Sequence, residues 1–463
     1  MNNDNIYDVV IVGAGIGGLV CGCYLAKYGK SVLIFDKNDH PGGCCTSFSR
    51  GGFRFDAAAH SLGGMSSQGP VGALLRDLGI RNLKLTRTDP SYILNLDGYK
   101  LNIWNDFIKT IDALKRDFKA ESNRLEEFFK FIYTATAVSL IKLKDLTFQE
   151  LLDQYFYDEK LKAILYSPLL GNTGVDPLRI SVFTAIKFYQ QYVLDGGYHF
   201  GGGMQELPDL LMKKFCELGG EMKLSSEVDK ILIEHNTALG IKIKEKNYYA
   251  QVTVSNIDSR KTFLELVGVD KLDSKTKDLL ISLRPSSSLY ACYIGLRKHT
   301  VCDLTPGITH WVIGDYDIKK IYQNVNNCKL TFDWLAIRLS KNRRNLQIFT
   351  IAPLMDEIYW RDNDIFWKEG LRKRATAVIP NFSNQADLFL TANPRTIMQW
   401  TANYNGATCG WESTPDQFFL SGLSQKTFIK NLYLVGHWTT LALGIPGVVN
   451  IGQSTARMIL AKG

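Results

Sequence analysis

The sequence predicts an α/β protein built on a Rossmann-like dinucleotide-binding unit, with a helical insertion and an antiparallel sheet beyond it. Three observations predict this. Val9-Val10-Ile11-Val12-Gly13-Ala14-Gly15-Ile16-Gly17-Gly18-Leu19 reads as a strand, a glycine turn and a helix, and residues 31–35 as a second strand ending on Asp36. From about Asp106 to Gln191 the pattern turns helical. Past Gly219, segments of alternating polarity separated by turn residues read as strands.

In the opening unit Gly13 makes the tight turn and Gly15 lets backbone approach a pyrophosphate. Gly18 lets the helix pack close to the strand. The helix N-terminus turns free N–H groups and a positive dipole end to the phosphates. Gly13, Ala14, Gly15, Ile16, Gly17 and Gly18 are therefore assigned to a bound dinucleotide. Asp36 accepts from a ribose diol, with Lys37 beside it. The Gly42-Gly43 pair allows a second close approach of backbone to ligand.

A chain of 463 residues with 45% hydrophobic residues is long enough for about three domain-sized units. Nine cysteines is an odd number. Cys21, Cys23, Cys216 and Cys292 lie beside predicted core segments, which points to reduced thiols and a cytoplasmic location. Neither Cys44-Cys45 nor the Cys21–Cys23 pair has zinc-site spacing, so no metal is expected. The short polar start, Met1-Asn2-Asn3-Asp4-Asn5, does not read as a signal peptide. No apolar run is long enough to span a bilayer, and residues 128–141 are broken by Lys130. The formal charge of +8 suits an anionic membrane surface as well as an ordinary soluble protein. Nucleic acid is not an expected partner, because the basic residues are spread along the chain. The oligomeric state is left open.

Within the helical stretch, Leu125, Phe128, Phe129, Ile132 and Thr136 fall on one face, and Thr147 to Glu150 has capping-box spacing. Gly171-Asn172-Thr173-Gly174 and Asp176-Pro177 break the run. Lys142, Lys144, Lys160 and Lys162 are interspersed with aromatic and aliphatic residues. The stretch reads as a cap that admits an apolar substrate and touches a membrane, or as a plain helical core with solvated lysines. A second glycine loop spans 196–204, before a helix at 207–218. A strand at 228–233 leads to a hairpin over 240–244 and 248–256, turning at Lys246-Asn247. Residues 287–296, 332–339 and 347–352 read as strands and 367–378 as a helix. Tyr290, Tyr293, Trp311, Trp334, Phe349, Tyr359 and Trp360 suit an apolar pocket or plain core. Near the end, a strand over 431–436 stops on Gly436, and a loop through His437 opens a last helix at Gly444-Ile445-Pro446-Gly447-Val448. That is another cradle of backbone N–H groups.

On the Gly13 turn, Gly42-Gly43-Cys44-Cys45, Phe55-Asp56, His60 and the closing Gly444 segment, the chain resembles a known family. It is that of phytoene desaturases, carotenoid isomerases and retinol saturases, FAD-dependent oxidoreductases of the amine-oxidase-like superfamily. The resemblance implies an FAD-binding domain assembled from residues 1–84, 197–280 and 396–463. Interleaved with it are a helical cap insertion at 85–196 and a substrate-domain sheet and helix at 281–395. It implies FAD as cofactor, with Gly42, Gly43 and Cys44 near the diphosphate and His60 and Ser61 in the loop beside the flavin. Val228 would offer backbone groups to the adenine, and residues 255–258 would close the nucleotide site. Gly436 and His437 would lie along the ribitol and ring, and Gly444, Ile445, Pro446, Gly447 and Val448 would open the helix that faces the flavin. Thr408-Cys409-Gly410-Trp411-Glu412 resembles the loop just upstream. Two departures stand out: Cys44 where many relatives carry arginine, and His437 where many have Asp or Ala.

Desaturation, saturation and isomerisation at a flavin each need at most one acid–base group near the ring. His60 is the first candidate, because its neighbourhood resembles the loop beside the flavin in the retinol-saturase branch and its ordinary neutral titration suits proton transfer; His437 is next, then His199. The expected substrate is a long apolar isoprenoid, polyene or acyl lipid, and the expected seat is cytoplasmic, peripheral on the inner face of a membrane. Two other readings are carried: a flavin amine oxidase, disfavoured by the missing Gly-Gly-Arg form, and a flavin-binding protein without turnover.

Overall fold

The computed structural model describes residues 6–81, 83–329, 331–378, 384–417, 424–439 and 444–462. Strand Ile6–Val12 lies at the centre of the first sheet. It pairs in parallel with Val32–Phe35 on one side and Lys246–Ser255 on the other. Glu221–Lys223 extends the first side and Leu432–Leu434 joins the second, both in parallel. Lys230–Glu234, Thr237–Ile243 and Lys246–Ser255 form an antiparallel meander. Three distant stretches of chain thus build one sheet.

Helix Ile16–Lys27 follows the glycine turn, and every residue from Ile16 to Ala26 is buried. It is apolar all round because helices Glu206–Glu217 and Gly444–Leu460 pack on it in addition to the sheet.

The second sheet has seven strands, in the order Ala386–Ala392, Ser288–Leu296, Asn345–Ala352, Trp334–Leu339, Thr309–Ile313, Tyr92–Leu96, Tyr99–Ile103. Sequence periodicity found three of these. Hairpin Tyr92–Ile103, assigned from sequence to the helical insertion, instead completes this sheet, pairing in parallel with Thr309–Ile313. Alternation along Ser288–Leu296 sorts the two faces. Ala291 and Tyr293 pack towards the helical insertion, while Tyr290, Cys292, Ile294 and Leu296 pack under helix Glu357–Val378. That helix starts a full ten residues before the expected 367. Trp360 and Trp367 on it are fully buried against the sheet. Removing either side chain would cost about 3–5 kcal/mol.

In the helical insertion, Leu125, Phe128, Phe129 and Ile132 form the buried face of helix Ser122–Thr134. Thr136 does not continue that face. It caps the next helix, Ala137–Ile141, with Ser139 as the reciprocal partner. The Thr147–Glu150 capping box is present. Glu121 is buried, accepting from Arg124 and from the N–H groups of Tyr157 and Asp158 at 2.7 and 3.0 Å. Lys162 is not a solvated lysine: it is buried between Asp153 (2.6 Å) and Glu159 (2.9 Å).

Two further expectations are corrected. The hairpin turns at Lys244, which has φ +52°, and Glu245, ahead of Lys246-Asn247. Cys216 is exposed, whereas Cys21, Cys23 and Cys292 are buried; all nine cysteines are free thiols. Among the described residues no helix is long and apolar enough to cross a membrane. Nor does any group of His, Cys, Asp and Glu among them have the makings of a metal site.

Candidate cofactor and substrate site

One cavity runs from the glycine turn of the first sheet to the aromatic face of the second. Gly13 has φ +98° and donates to Phe35 O at 2.7 Å, which bends the chain sharply off the strand. The turn is wrapped around a side chain, Asn256. Its Nδ2 donates to Gly13 O at 3.1 Å. A Cβ on Gly15 would lie 2.9 Å from that Nδ2, and one on Gly17 would lie 2.9 Å from Oδ1. The glycines therefore make room for Asn256 as well as for a ligand. A Cβ on Gly18 would overlap the carbonyl oxygen of Gly13, so Gly18 serves helix–strand contact and does not line the cavity. No side chain caps helix Ile16–Lys27, so its first N–H groups face the cavity without a side-chain acceptor.

Asp36 lines the same end, its carboxylate accepting from Ala14 N (2.7 Å) and Asn38 N (2.9 Å). Each oxygen keeps a second acceptor position. Burial pushes this carboxyl upward, against the pull of those N–H groups. Lys37 also lines the cavity, and its Nζ gives one of its three N–H donors to Gln399 O at 2.5 Å. Gly42 donates to Ala14 O at 3.0 Å, and a Cβ on Gly43 would sit 3.6 Å from Gly15 Cα, so the Gly42-Gly43 pair lies against the glycine turn. Val228 lines the cavity with Ser226 and Glu227, and Glu227 is paired with Lys261 at 3.0 Å.

Asn403 organises the middle. Its Nδ2 donates to Ala407 O at 2.9 Å and approaches Cys44 Sγ at 3.9 Å. Its Oδ1 accepts from Trp438 Nε1 at 2.8 Å and faces His437 Nε2 at 3.5 Å. An amide oxygen only accepts, so Nε2 carries the His437 proton. Cys44 is a neutral thiol, pushed up to about 12 by burial, so no charge replaces the arginine of the relatives. Gly436 has φ +90° beside the Asn256 amide. Gly444, Ile445 and Val448 line the cavity, whereas Pro446 and Gly447 do not; Pro446 packs at Gly64. The loop residues 440–443 lie outside the described residues.

His60 and Ser61 reach the cavity from the loop after strand Phe53–Asp56. His60 Nδ1 donates to Ala58 O at 3.1 Å, and its ring stacks on Phe349 at 5.3 Å. Burial, then the Arg338 charge, lowers its pKa to about 4; burial alone brings His437 to about 4. The neutral-range titration expected of His60 is thus not met, and His437 behaves alike, because neither imidazolium can be solvated. His199 stands behind, donating from Nδ1 to His60 O at 2.9 Å, and does not line the cavity.

The far end is lined by Tyr92, Gly171, Asn172, Phe188, Tyr192, Leu289 and Trp311. Tyr92 lies flat on Trp311 at 4.5 Å. Of the seven aromatics singled out by sequence, only Trp311 lines the cavity. Tyr290, Trp360 and Tyr359 belong to the opposite face of the sheet, and Trp334 and Tyr293 to the core. Asn403, Tyr92, Phe188 and Tyr192 carried no motif, since pairing and packing alone bring them to the site, and Asn256 was legible only as part of residues 255–258.

The first sheet and its glycine turn define a Rossmann-type domain. Residues 11–78 match the family described as "NAD(P)-binding Rossmann-like domain". Along nearly its whole length the chain is similar to enzymes of polyene metabolism. It is 26% identical to the neurosporene-forming phytoene desaturase of Rhodobacter capsulatus, across 99% of this chain and 95% of that one. It is 24% identical to prolycopene isomerase 1 of an Oncidium hybrid, across 98% and 84%. It is also 26% identical to human all-trans-retinol 13,14-reductase, across 67% and 57%. The resemblance to phytoene desaturases, carotenoid isomerases and retinol saturases is borne out. Among solved structures, putrescine oxidase bound to putrescine superposes with a TM-score of 0.66 at 15% identity, across 98% of this chain and 99% of that one. The fold, a Rossmann-like domain with an antiparallel-sheet domain and helical insertion, is therefore shared with that oxidase.

Proposed function

We propose that this chain is an FAD-dependent oxidoreductase acting on carbon–carbon bonds of a long apolar isoprenoid, polyene or acyl lipid. The observation that carries this reading is the single cavity joining a nucleotide-type glycine turn to an aromatic chamber. The residues fit FAD. The uncapped N-terminus of helix Ile16–Lys27, with the backbone of Gly15, Ile16 and Gly17, would take the diphosphate past Gly13, with Gly42, Gly43 and Cys44 closing over it. Ala14, its N–H given to Asp36 and its carbonyl to Gly42, does not line the cavity. Asp36 would accept from the ribose, and the Val228 backbone would meet the adenine. Gly436, His437, Gly444, Ile445 and Val448 would lie along the ribitol and ring. When bound, FAD supplies two-electron hydride exchange with a carbon atom.

The chain's own groups do the rest. Trp311, Tyr92, Phe188 and Leu289 hold an apolar chain and exclude water. His60 and His437 remain uncharged at neutral pH, so neither places an ion against a hydrocarbon. With Nδ1 committed to Ala58, His60 keeps Nε2 as its acceptor.

An amine substrate is poorly served. Among the described lining residues the carboxylates are Asp36 and Glu227, both at the nucleotide end, and none faces the aromatic chamber to pair with an ammonium.

A peripheral membrane seat is supported by exposed Tyr133, Val138 and Ile141 with exposed Lys130 and Lys142 on neighbouring turns of the insertion. Failure to sediment with anionic liposomes at low salt would remove that part of the reading.

The deciding experiment incubates FAD-loaded protein with polyene and unsaturated-lipid extracts without oxygen, once oxidised and once chemically reduced. Products two hydrogens lighter, two heavier, or equal in mass with shifted retention identify desaturation, saturation or isomerisation. No product in either state, with amines turned over, would overturn the reading.

A further inference from the structure

Tyr192 sits on a π-helical turn, Tyr189–Leu194, that ends helix Val182–Phe188. Such turns are uncommon, and they recur at functional sites because the extra residue re-aims a side chain. Here the turn carries the Tyr192 ring onto Phe188, stacked at 5.0 Å, and sends its hydroxyl to the start of the C-terminal helix. The hydroxyl accepts from Ile445 N–H at 3.0 Å. A Cβ on Gly444 would lie 2.5 Å from that oxygen, so only glycine admits it there. The oxygen is thus held by a helix N-terminal donor. Its own proton meets no acceptor among the described residues, and Tyr192 lines the cavity.

We propose that Tyr192 is the proton donor of a saturating reaction at this site, its phenol delivering a proton to one carbon of a substrate double bond. This rests on the FAD-dependent carbon–carbon reading above and gives it a direction. The Tyr192 O–H bond breaks, and a C–H bond forms at one carbon. Hydride, with the electron pair given up by reduced flavin, bonds to the other carbon. The alkene is reduced and the flavin oxidised. Water returns a proton to the phenolate, and a low-potential donor such as a reduced nicotinamide renews the flavin.

The geometry suits an acid. Burial keeps the phenol protonated at rest, whereas the Ile445 N–H at the positive end of a helix stabilises the phenolate once it forms. The desaturating direction needs a base instead. A phenol that stays protonated is none, and His60 and His437, lowered to about 4 by burial, are weak ones.

The test uses FAD-loaded wild type and Tyr192→Phe, reduced with dithionite without oxygen and given a polyene panel in H2O and D2O. Wild type should yield products two hydrogens heavier in H2O and, in D2O, products with deuterium on both carbons, because the N5 hydrogen of dithionite-reduced flavin exchanges with solvent as the phenol proton does. Tyr192→Phe should saturate about 100-fold more slowly or worse. Its flavin content and polyene affinity, read from the shift of the polyene absorption band, should match wild type, while its melting temperature falls modestly because the Ile445 N–H loses its acceptor. Saturation by the variant at the wild-type rate overturns the proposal, as does wild-type product without solvent deuterium. Loss of flavin from the variant would make Tyr192 a cofactor clamp and overturn it too. Wild type that only removes hydrogen, with oxidised flavin, overturns the direction but leaves the carbon–carbon reading standing. No wild-type product in either redox state removes that reading itself.

Discussion

Arg338 donates from Nη1 to the carbonyl oxygen of His60 at 2.6 Å, across the seam between the second sheet and the loop that follows the Rossmann unit. It is one of a row. Asn345 donates to Arg54 O and Gln347 to Asp56 O, both at 2.5 Å, and the Tyr293 hydroxyl donates to Ala57 O. Three strands of one sheet thus hold the backbone that presents His60. Arg338 itself lies largely covered, 3.6 Å from the Asp56 carboxylate. Arg338→Met leaves that carboxylate without its cation and should cost about 3–5 kcal/mol. Urea unfolding checks it; a loss below about 1 kcal/mol would contradict this account of the seam.

Stability should fall in acid for a reason that can be signed. His60, His310 and His437 have pKa values lowered to about 4 by burial, against an unfolded value near 6.5. Between those values the unfolded chain binds more protons, so stability rises with pH through that window. Thermal unfolding should be highest above pH 6.5 and decline steadily towards pH 4. Removing one histidine should flatten the curve: His437→Asn is the variant to compare, and an unchanged slope would count against a neutral buried imidazole.

Gly18→Ala tests the difference between lining a ligand and packing a helix. The new Cβ meets Gly13 O, a backbone atom that cannot swing away. A loss of about 1–3 kcal/mol is expected even in flavin-free protein. Calorimetry of the apoprotein measures it; a defect seen only with flavin present would return Gly18 to the cofactor site.

Asn403→Leu should leave Trp438 Nε1 buried without an acceptor, at about 1–3 kcal/mol. It also frees Cys44 and His437 from their common partner. Lower thermal stability together with an altered flavin absorption band is expected. Equal stability would show that the hub has little energetic weight.

Trp311→Ala should enlarge the aromatic chamber and cost about 3–5 kcal/mol. Polyene affinity should fall while flavin content, set at the other end of the cavity, stays near wild type. Flavin and polyene absorbance read the two separately.

Much of the first sheet was legible in the sequence, because a glycine turn between a buried strand and helix is a local pattern read over about thirty residues. The same holds for the capping box at Thr147 and the meander before Ser255. Hairpin Tyr92–Ile103 was not, since its strands are short and become part of a sheet only by pairing with residues more than two hundred positions away. The aromatic segments were visible, yet which aromatics face the cavity was not. Period-2 alternation shows that two faces exist and is silent on which one meets the chamber.

Composition, glycine spacing and strand–helix order, all local chemistry, determined by themselves that this chain carries a dinucleotide-type turn near its start and a matching backbone cradle near its end. The tertiary structure alone decided that Asn256 fills the turn and that Asn403 joins Cys44 to His437. It also decided that Tyr192 meets Ile445. The members of each pair lie far apart in the chain, and Asn403 and Tyr192 carry no motif. Their protonation states depend on burial, which belongs to the packed molecule and to no single residue.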